Sequence, residues 1–279
     1  MEPTQAVLLG IIQGLTEFLP VSSSGHLVIF QKLFGLTDPE LSFNISVHVG
    51  TLIAVIIFFR QEIMGMATAC IRCLPMILQF PRLREEFQND PDVRLVILIG
   101  IGSIPTACIG LGFHRVADLI FSSLLIVGIT LIITGTMLWS TRGIQKTERT
   151  IHRFFPRDAL MIGSLQGLAI LPGISRSGAT IVAGLFLGLS RETAARYSFL
   201  LSIPAIVGAE LLSIKDLAAN QMMPAAVDLI GAATAFVVGY AALKLLVFIV
   251  RKGQMHLFAP YCWIVGLTVL AVNFLKGWG

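Results

Sequence analysis

Two apolar stretches of this chain are interrupted at their middles by the same polar, glycine-bearing break, and that repeat limits what the chain can fold into. The first reads Gln13-Gly14-Leu15-Thr16-Glu17-Phe18-Leu19-Pro20-Val21-Ser22-Ser23-Ser24-Gly25-His26. The second, 153 positions later, reads Gln166-Gly167-Leu168-Ala169-Ile170-Leu171-Pro172-Gly173-Ile174-Ser175-Arg176-Ser177-Gly178-Ala179. Aligned without gaps, the two share Gln, Gly, Leu, Ser, Ser and Gly. Each half of the broken regions, about 4–35 and 159–190, is shorter than the roughly 20 residues a spanning helix needs. Each region is therefore expected to enter and leave on one side as a re-entrant hairpin. Irregular backbone at membrane depth is tolerated only where protein or a wet cavity surrounds it. Polar residues there are costly and usually functional.

Composition supports a membrane setting. Hydrophobic residues make up 55% of the 279 and charged ones 13%, about half the roughly 25% usual in soluble domains. Mean hydropathy is +0.84. The polar stretches at about 79–92 and 141–158 are loop-sized, so one integral membrane domain over 1–279 is expected. Met1-Glu2-Pro3 lacks the basic start and cleavage site of a signal peptide, so the first apolar segment is expected to stay. The net charge of +4 reads as loop topology and not as nucleic-acid binding. Cys70 and Cys73 have CxxC spacing without a second pair, and Cys108 and Cys262 lie in apolar segments. The first two read as incidental cysteines on an amphipathic segment, and packing accounts for the other two.

Six segments are long and apolar enough to span: about 43–59, 94–113, 118–140, 195–213, 225–250 and 257–275. Arg60, Arg72, Arg82, Arg84 and Arg94 follow the first, Arg142, Lys146, Arg149, Arg153 and Arg157 the third, and Arg251 and Lys252 the fifth. The other loops carry only Arg115 and Lys215, so twelve basic residues against two place the three basic loops in the cytoplasm. The expected fold is an all-α polytopic membrane protein with six transmembrane helices plus two re-entrant helical hairpins. An odd number of crossings per half turns the second copy over, giving an inverted-topology repeat of about 1–140 and 159–279 joined by the basic loop 141–158. The first hairpin then enters from outside, the second from the cytoplasm, and their tips meet near the midplane.

The tips carry the chemistry. Ser22–Ser24 and Ser175–Ser177 stand where new half-helices begin, and serine is a good N-cap. Two helix N-termini converging from opposite sides form an anion cradle. Gly25 and Gly178 are expected to let a ligand approach the backbone. Arg176 has a planar fork suited to phosphate oxygens, and Glu17 from the opposite hairpin is its alternative partner. Glu17 lies one turn after Gln13, on the same face, where a carboxylate holds a divalent cation or activates a nucleophile. His26 follows Ser23 by three residues, a spacing that suits a hydroxyl nucleophile with imidazole as base, or a histidine acting itself. His48 lies in the first span near the tip. Glu210 and Lys244 sit within spans, either interfacial or paired together, and Asp216 and Asp228 fall near loop ends.

These residues resemble the bacterial undecaprenyl-diphosphate phosphatases of the bacitracin-resistance type, over essentially the whole chain. One family motif, Glu or Gln, then Glu, then PVSSxGH, is matched by Gln13, Glu17 and Pro20–His26. Another, PGxSRSGxT, is matched by Pro172–Thr180, and Arg196–Pro204 is also similar. The resemblance implies hydrolysis of undecaprenyl diphosphate to undecaprenyl phosphate and inorganic phosphate. That reaction recycles the carrier lipid of peptidoglycan and other envelope polymers and confers bacitracin resistance. It further implies a divalent cation, Mg2+ or Ca2+, in a multi-pass protein of the cytoplasmic (inner) membrane with its pocket open to the outer, periplasmic face. Carried over by position, Glu17, Ser23, His26 and Arg176 are the catalytic set. Gln13, Ser22, Ser24, Gly25, Gly173, Ser175, Ser177, Gly178 and Thr180 are expected to bind substrate. Glu17 is the expected metal ligand with Gln13 as its weak neighbour, one carboxylate fewer than relatives bearing Glu there.

The rival class is a secondary transporter, since inverted repeats with broken helices are its signature as well. Transport alone leaves the Glu17, Ser23 and His26 set unexplained. The glycine-bearing face around Gly128–Gly135 is expected to pack within the protomer or to form a homodimer.

Overall fold

The computed structural model describes residues 1–36, 41–76, 78–113, 123–219 and 226–276. Twelve α-helices follow one another through them: α1 Pro3–Phe18, α2 Ser23–Leu33, α3 Leu41–Phe58, α4 Arg60–Cys73, α5 Phe80–Asn89, α6 Pro91–Phe113, α7 Leu124–Trp139, α8 Pro156–Leu168, α9 Arg176–Phe186, α10 Arg191–Ala219, α11 Ala226–Lys252 and α12 Ala259–Lys276. The one β-contact among the described residues is an isolated bridge, Arg149 to Leu189. Five stretches are long and apolar enough to cross a membrane: Leu41–Phe58, Pro91–Phe113, Arg191–Lys215, Ala226–Lys252 and Met255–Leu275. The chain is a multi-pass membrane protein. The third expected span is the shorter helix α7, of 16 residues; 118–122 of that expectation and Arg115 lie outside the described residues. The stretch expected as a loop at 79–92 is largely helical, because Phe80–Asn89 forms α5 with Pro81 in its first turn.

Sequence explains how the broken regions start. Helices α1 and α8 both open with proline at the first helical position, where a missing N–H costs nothing. In both, the side chain three residues past the N-cap reaches back. Glu2 N donates to Gln5 Oε1 at 2.9 Å, and Phe155 N to Asp158 Oδ2 at 3.0 Å. Small residues then let the helices come close, the usual packing mode where lipid supplies no hydrophobic drive. A Cβ on Gly14 would stand 2.8 Å from Ala235 O of α11, and one on Gly163 only 2.0 Å from Gly102 O of α6. The face around Gly128–Gly135 is used within the chain, with α7 packed on Leu270 and Trp263 of α12.

A buried aromatic stack lies under the breaks. Phe18 meets Phe199 edge-on at 6.0 Å, and Phe199 lies against Phe59 at 5.9 Å. At the end carrying the 141–158 loop, buried Arg94 donates to the carbonyls of Phe154 and Phe87, and Arg149 pairs with Asp158. Two of the arginines counted as topology signals thus also clamp the loop to the helices.

Candidate active site

The two breaks lie against each other. Ser22 caps α2, its Oγ accepting from Gly25 N at 3.4 Å, and the same oxygen accepts from Gly173 N of the second break at 3.0 Å. Ser175 caps α9 in the same way, accepting from Gly178 N at 3.1 Å. Ser177 Oγ crosses back to Phe18 O at 3.0 Å. Ser22 has φ +71°, and no other non-glycine described residue has positive φ. Such a conformation costs roughly 1–3 kcal/mol and persists only where its surroundings enforce it. Here Gly173 N and His26 do the enforcing.

Glu17 sits at the centre, nearly buried. Its Oε1 accepts from Arg176 Nη2 at 2.5 Å. Its Oε2 accepts from Ser23 Oγ at 2.6 Å and from Gln13 Nε2 at 3.0 Å, and His48 Nε2 stands 3.9 Å away. Two donors are thus drawn from the first hairpin and one from the second. Two further polar atoms are buried without any partner, Arg176 Nη1 and Gln13 Oε1. An unsatisfied guanidinium N–H beside a helix N-terminus is a donor awaiting an anionic oxygen.

The structure separates Ser23 from His26, contrary to what their spacing predicts. Ser23 Oγ turns to Glu17, whereas His26 Nδ1 lies 2.8 Å from Ser22 O and Nε2 lies 2.8 Å from Tyr261 Oη. A carbonyl oxygen only accepts, so in the neutral ring Nδ1 carries the proton and Nε2 accepts from Tyr261. The twisted backbone at Ser22 aims that carbonyl at the ring. The rings of His26 and Tyr261 are nearly parallel, at 8°. Tyr261 is a site neighbour that reading the sequence misses, since it lies 235 positions away in an apolar helix with no polar motif around it. Tyr261→Phe is expected to slow turnover about threefold to tenfold, the value of one hydrogen bond, with the melting temperature little changed. A kcat equal to wild type would free His26 from any dependence on that hydroxyl.

Other expected binders serve the backbone. Gly25 and Gly178 let the hairpins approach: a Cβ on Gly25 would meet Gly173 Cα at 3.1 Å, and one on Gly178 the Cβ of Pro20 at 3.3 Å. Ser175 and Ser177 are buried and spend their hydroxyls on the cap and on Phe18 O. Thr180 Oγ1 bonds Arg176 O at 2.8 Å and Ser198 Oγ at 2.5 Å, fixing the start of α9. Thr130 and Thr134 of α7 hold the second tip through Pro172 O and Gly173 O, at 2.5 and 2.8 Å. Ser24 Oγ stands 3.4 Å from Ser22 Oγ at the partly open rim. Gln166 turns instead to Leu201 O, 3.2 Å away.

His48 does join the site, its Nδ1 2.8 Å from Asn44 O. Glu210 and Lys244 are not paired. Lys244 lies over the Tyr240 ring, whereas Glu210 Oε2 is buried without a hydrogen bond, within electrostatic reach of His48 and Glu17. Asp228 lies in the first turn of α11 and accepts from Ser42, and the side chain of Asp216 is outside the described set. Among the described residues no three His, Cys, Asp or Glu side chains converge on a metal-sized space.

The family model described as bacitracin resistance protein BacA matches residues 6–268. An undecaprenyl-diphosphatase of Desulforapulum autotrophicum is 52% identical over 275 residues, covering 99% of this chain and all of that protein. One from Desulfosudis oleivorans is 54% identical over 274 residues, 98% of this chain and 99% of its own length. One from Methanobrevibacter smithii is 41% identical over 270 residues, 96% and 97% of the two chains. A match running nearly end to end, over a site made by both breaks, settles the family: the chain belongs to the BacA bacitracin resistance proteins.

Proposed function

We propose that this chain hydrolyses undecaprenyl diphosphate to undecaprenyl phosphate and inorganic phosphate, with the reaction at the Glu17–Arg176 junction. One observation carries the reading. A carboxylate holding a serine hydroxyl at 2.6 Å shares the junction with an arginine that has a buried, unused N–H. The first supplies a base for a hydroxyl or water, and the second supplies a donor for phosphoryl oxygen. The first-turn N–H groups of α2 and α9 add positive potential where charge develops on the phosphoryl group. Glu17 takes the proton of the attacking oxygen, either Ser23 Oγ or a water in its place, as the terminal P–O bond to the bridging oxygen breaks and undecaprenyl phosphate leaves; a phosphoserine formed at Ser23 is then cleaved by water to inorganic phosphate. Arg176 stabilises the phosphoryl oxygens, and His26, held by Ser22 and Tyr261, is the second nucleophile candidate.

The residues fit a hard divalent cation such as Mg2+ or Ca2+. Gln13 and Glu17 are neighbours, the amide nitrogen turned to the carboxylate and Oε1 left without a partner, so both side chains would offer an oxygen to such a cation. One carboxylate and one amide oxygen leave the remaining positions to water and diphosphate, as Mg2+ prefers. Such a cation would neutralise the diphosphate.

The six-span, two-hairpin inverted repeat is part of this reading. The caps at Ser22 and Ser175 correspond, and α1 packs on α11 as α8 packs on α6. The basic loops then face the cytoplasm, with the pocket open to the outer face of the cytoplasmic membrane. Labelling of a cysteine introduced at 141–158 from outside intact cells would overturn that orientation. The decisive assay is phosphate release from undecaprenyl diphosphate by the purified protein in detergent, where no transport is possible. Release that a chelator stops and Mg2+ restores is expected. A folded protein that binds the lipid without releasing phosphate would leave transport as the better reading.

A further inference from the structure

Helix α4 leaves an apolar face uncovered. It starts at Arg60, one residue after Phe59 closes the membrane helix α3, and runs to Cys73. Its inner side is fixed to the body: Ala69 is buried, Gly65 lies against the Asp92 carboxylate, and Arg72 pairs with Asp90. Glu62 on that side stands 3.8 Å from Arg196 of α10. The outer side falls at helical spacing on Met64, Ala67, Ile71 and Leu74, and continues to Leu78 in the turn that follows. Met64 is 68% exposed, Ile71 71% and Leu78 96%. A water-facing surface helix carries its polar residues outward and its apolar residues inward; α4 packs Ile63 and Met66 on the core and carries a second apolar row outward.

The exposed residues of the membrane helices give the comparison. Leu111 of α6 and Leu211 of α10 are exposed to a similar degree, at 60% and 63%, and such residues face acyl chains in a multi-pass protein. Helix α4, of 14 residues, is too short to span. It lies at the end of the molecule that carries the 141–158 loop, where Arg142 covers Trp139 at 5.0 Å and Trp139 packs on Trp263. Trp clusters of this kind mark the level of the headgroups.

We infer that α4 lies in the bilayer interface on the side of the basic loops, with Met64, Ala67, Ile71, Leu74 and Leu78 inserted among the lipids. The partner is the lipid surface itself, and continuity with α3 and α6 is what selects it over a second protein. An amphipathic helix in this position is a monotopic anchor attached to a polytopic body. Through Gly65, Arg72 and Glu62 it would register the start of α6 and the middle of the first turns of α10 against the membrane surface.

Spin labels test this in the full chain. With the four native cysteines replaced, single cysteines at Met64, Ile71 and Leu74 would be labelled and the protein reconstituted in phosphatidylcholine–phosphatidylglycerol vesicles. Gln61 and Glu85 serve as controls on polar, exposed positions. Oxygen should relax the labels at 64, 71 and 74 at least threefold more effectively than a water-soluble nickel chelate, with the opposite order at 61 and 85. Nickel access at all five positions would overturn the inference. Protection of 64, 71 and 74 from both reagents would overturn it as well, by showing a protein partner on that face. Phosphate release by each labelled variant confirms that the body is folded, since none of these positions lies near the site.

Discussion

Glu17→Gln is expected to slow phosphate release by about 10²–10⁴-fold, the usual contribution of a positioned general base. The substitution keeps the shape and still offers an oxygen to Arg176 Nη2, now 2.5 Å from the carboxylate. It removes the charge that draws the proton from Ser23 Oγ or from water. Both variants take away the ion partner of the largely buried Arg176, but Glu17→Ala also removes the oxygen that Arg176 Nη2 donates to, and loss of one member of such a pair costs up to about 3–5 kcal/mol. The two variants therefore separate chemistry from folding. The Gln variant should melt above the Ala variant in detergent while its initial rate collapses, whereas the Ala variant should lose both rate and more of its stability. A Gln variant within tenfold of wild-type kcat would remove Glu17 from the chemistry and leave it as a structural counter-ion.

The second large effect concerns the backbone of the opposite tip. Gly173 has φ +93°, and a Cβ there would lie 2.0 Å from Thr130 Oγ1 and 2.7 Å from Val127 O. Strained conformation and overpacking each cost roughly 1–3 kcal/mol. Gly173→Ala should thus lower stability by about 2–6 kcal/mol, and what folds should be nearly inactive because Gly173 N no longer meets Ser22 Oγ. Gly100→Ala in α6 is the control. Nothing lies within 4 Å of its added carbon, and alanine in a helix interior stabilises by roughly 0.5–1 kcal/mol. Thermal denaturation of both variants in one detergent reads the difference. Equal melting temperatures would mean that the second tip yields more easily than its contacts indicate.

The long apolar runs made the membrane helices legible because their signal is local: about twenty residues in sequence fix one helix. The caps at Ser22 and Ser175 were legible for the same reason, and so was a Glu17–Arg176 partnership, because two unlike charges at the tips of facing hairpins need each other. Sequence spacing failed where a side chain had two ways to turn. Ser23 and His26 lie one helical turn apart, yet the positive φ at Ser22 sends each to a different partner. It failed again where partners come from distant helices, as with Tyr261, Thr130 and Thr134. Glycines announced close approach without saying to what, and here the neighbour is the other hairpin. Helix α4 gave no span signal because charged residues separate its two apolar rows, one on the core through Ile63 and Met66 and one exposed through Met64 and Ile71.

The bond from Gly173 N to Ser22 Oγ and the crossing from Ser177 Oγ to Phe18 O also tie the two halves of the chain together. They brace one tip on the other, so Glu17 of the first half and Arg176 of the second keep their spacing only while both breaks stay joined. Rocking one half against the other, the motion alternating access requires, would have to part these bonds and pull the ion pair open. The proposed hydrolysis asks for no such motion, and a clamped pair of tips suits a site that holds a phosphoryl group still.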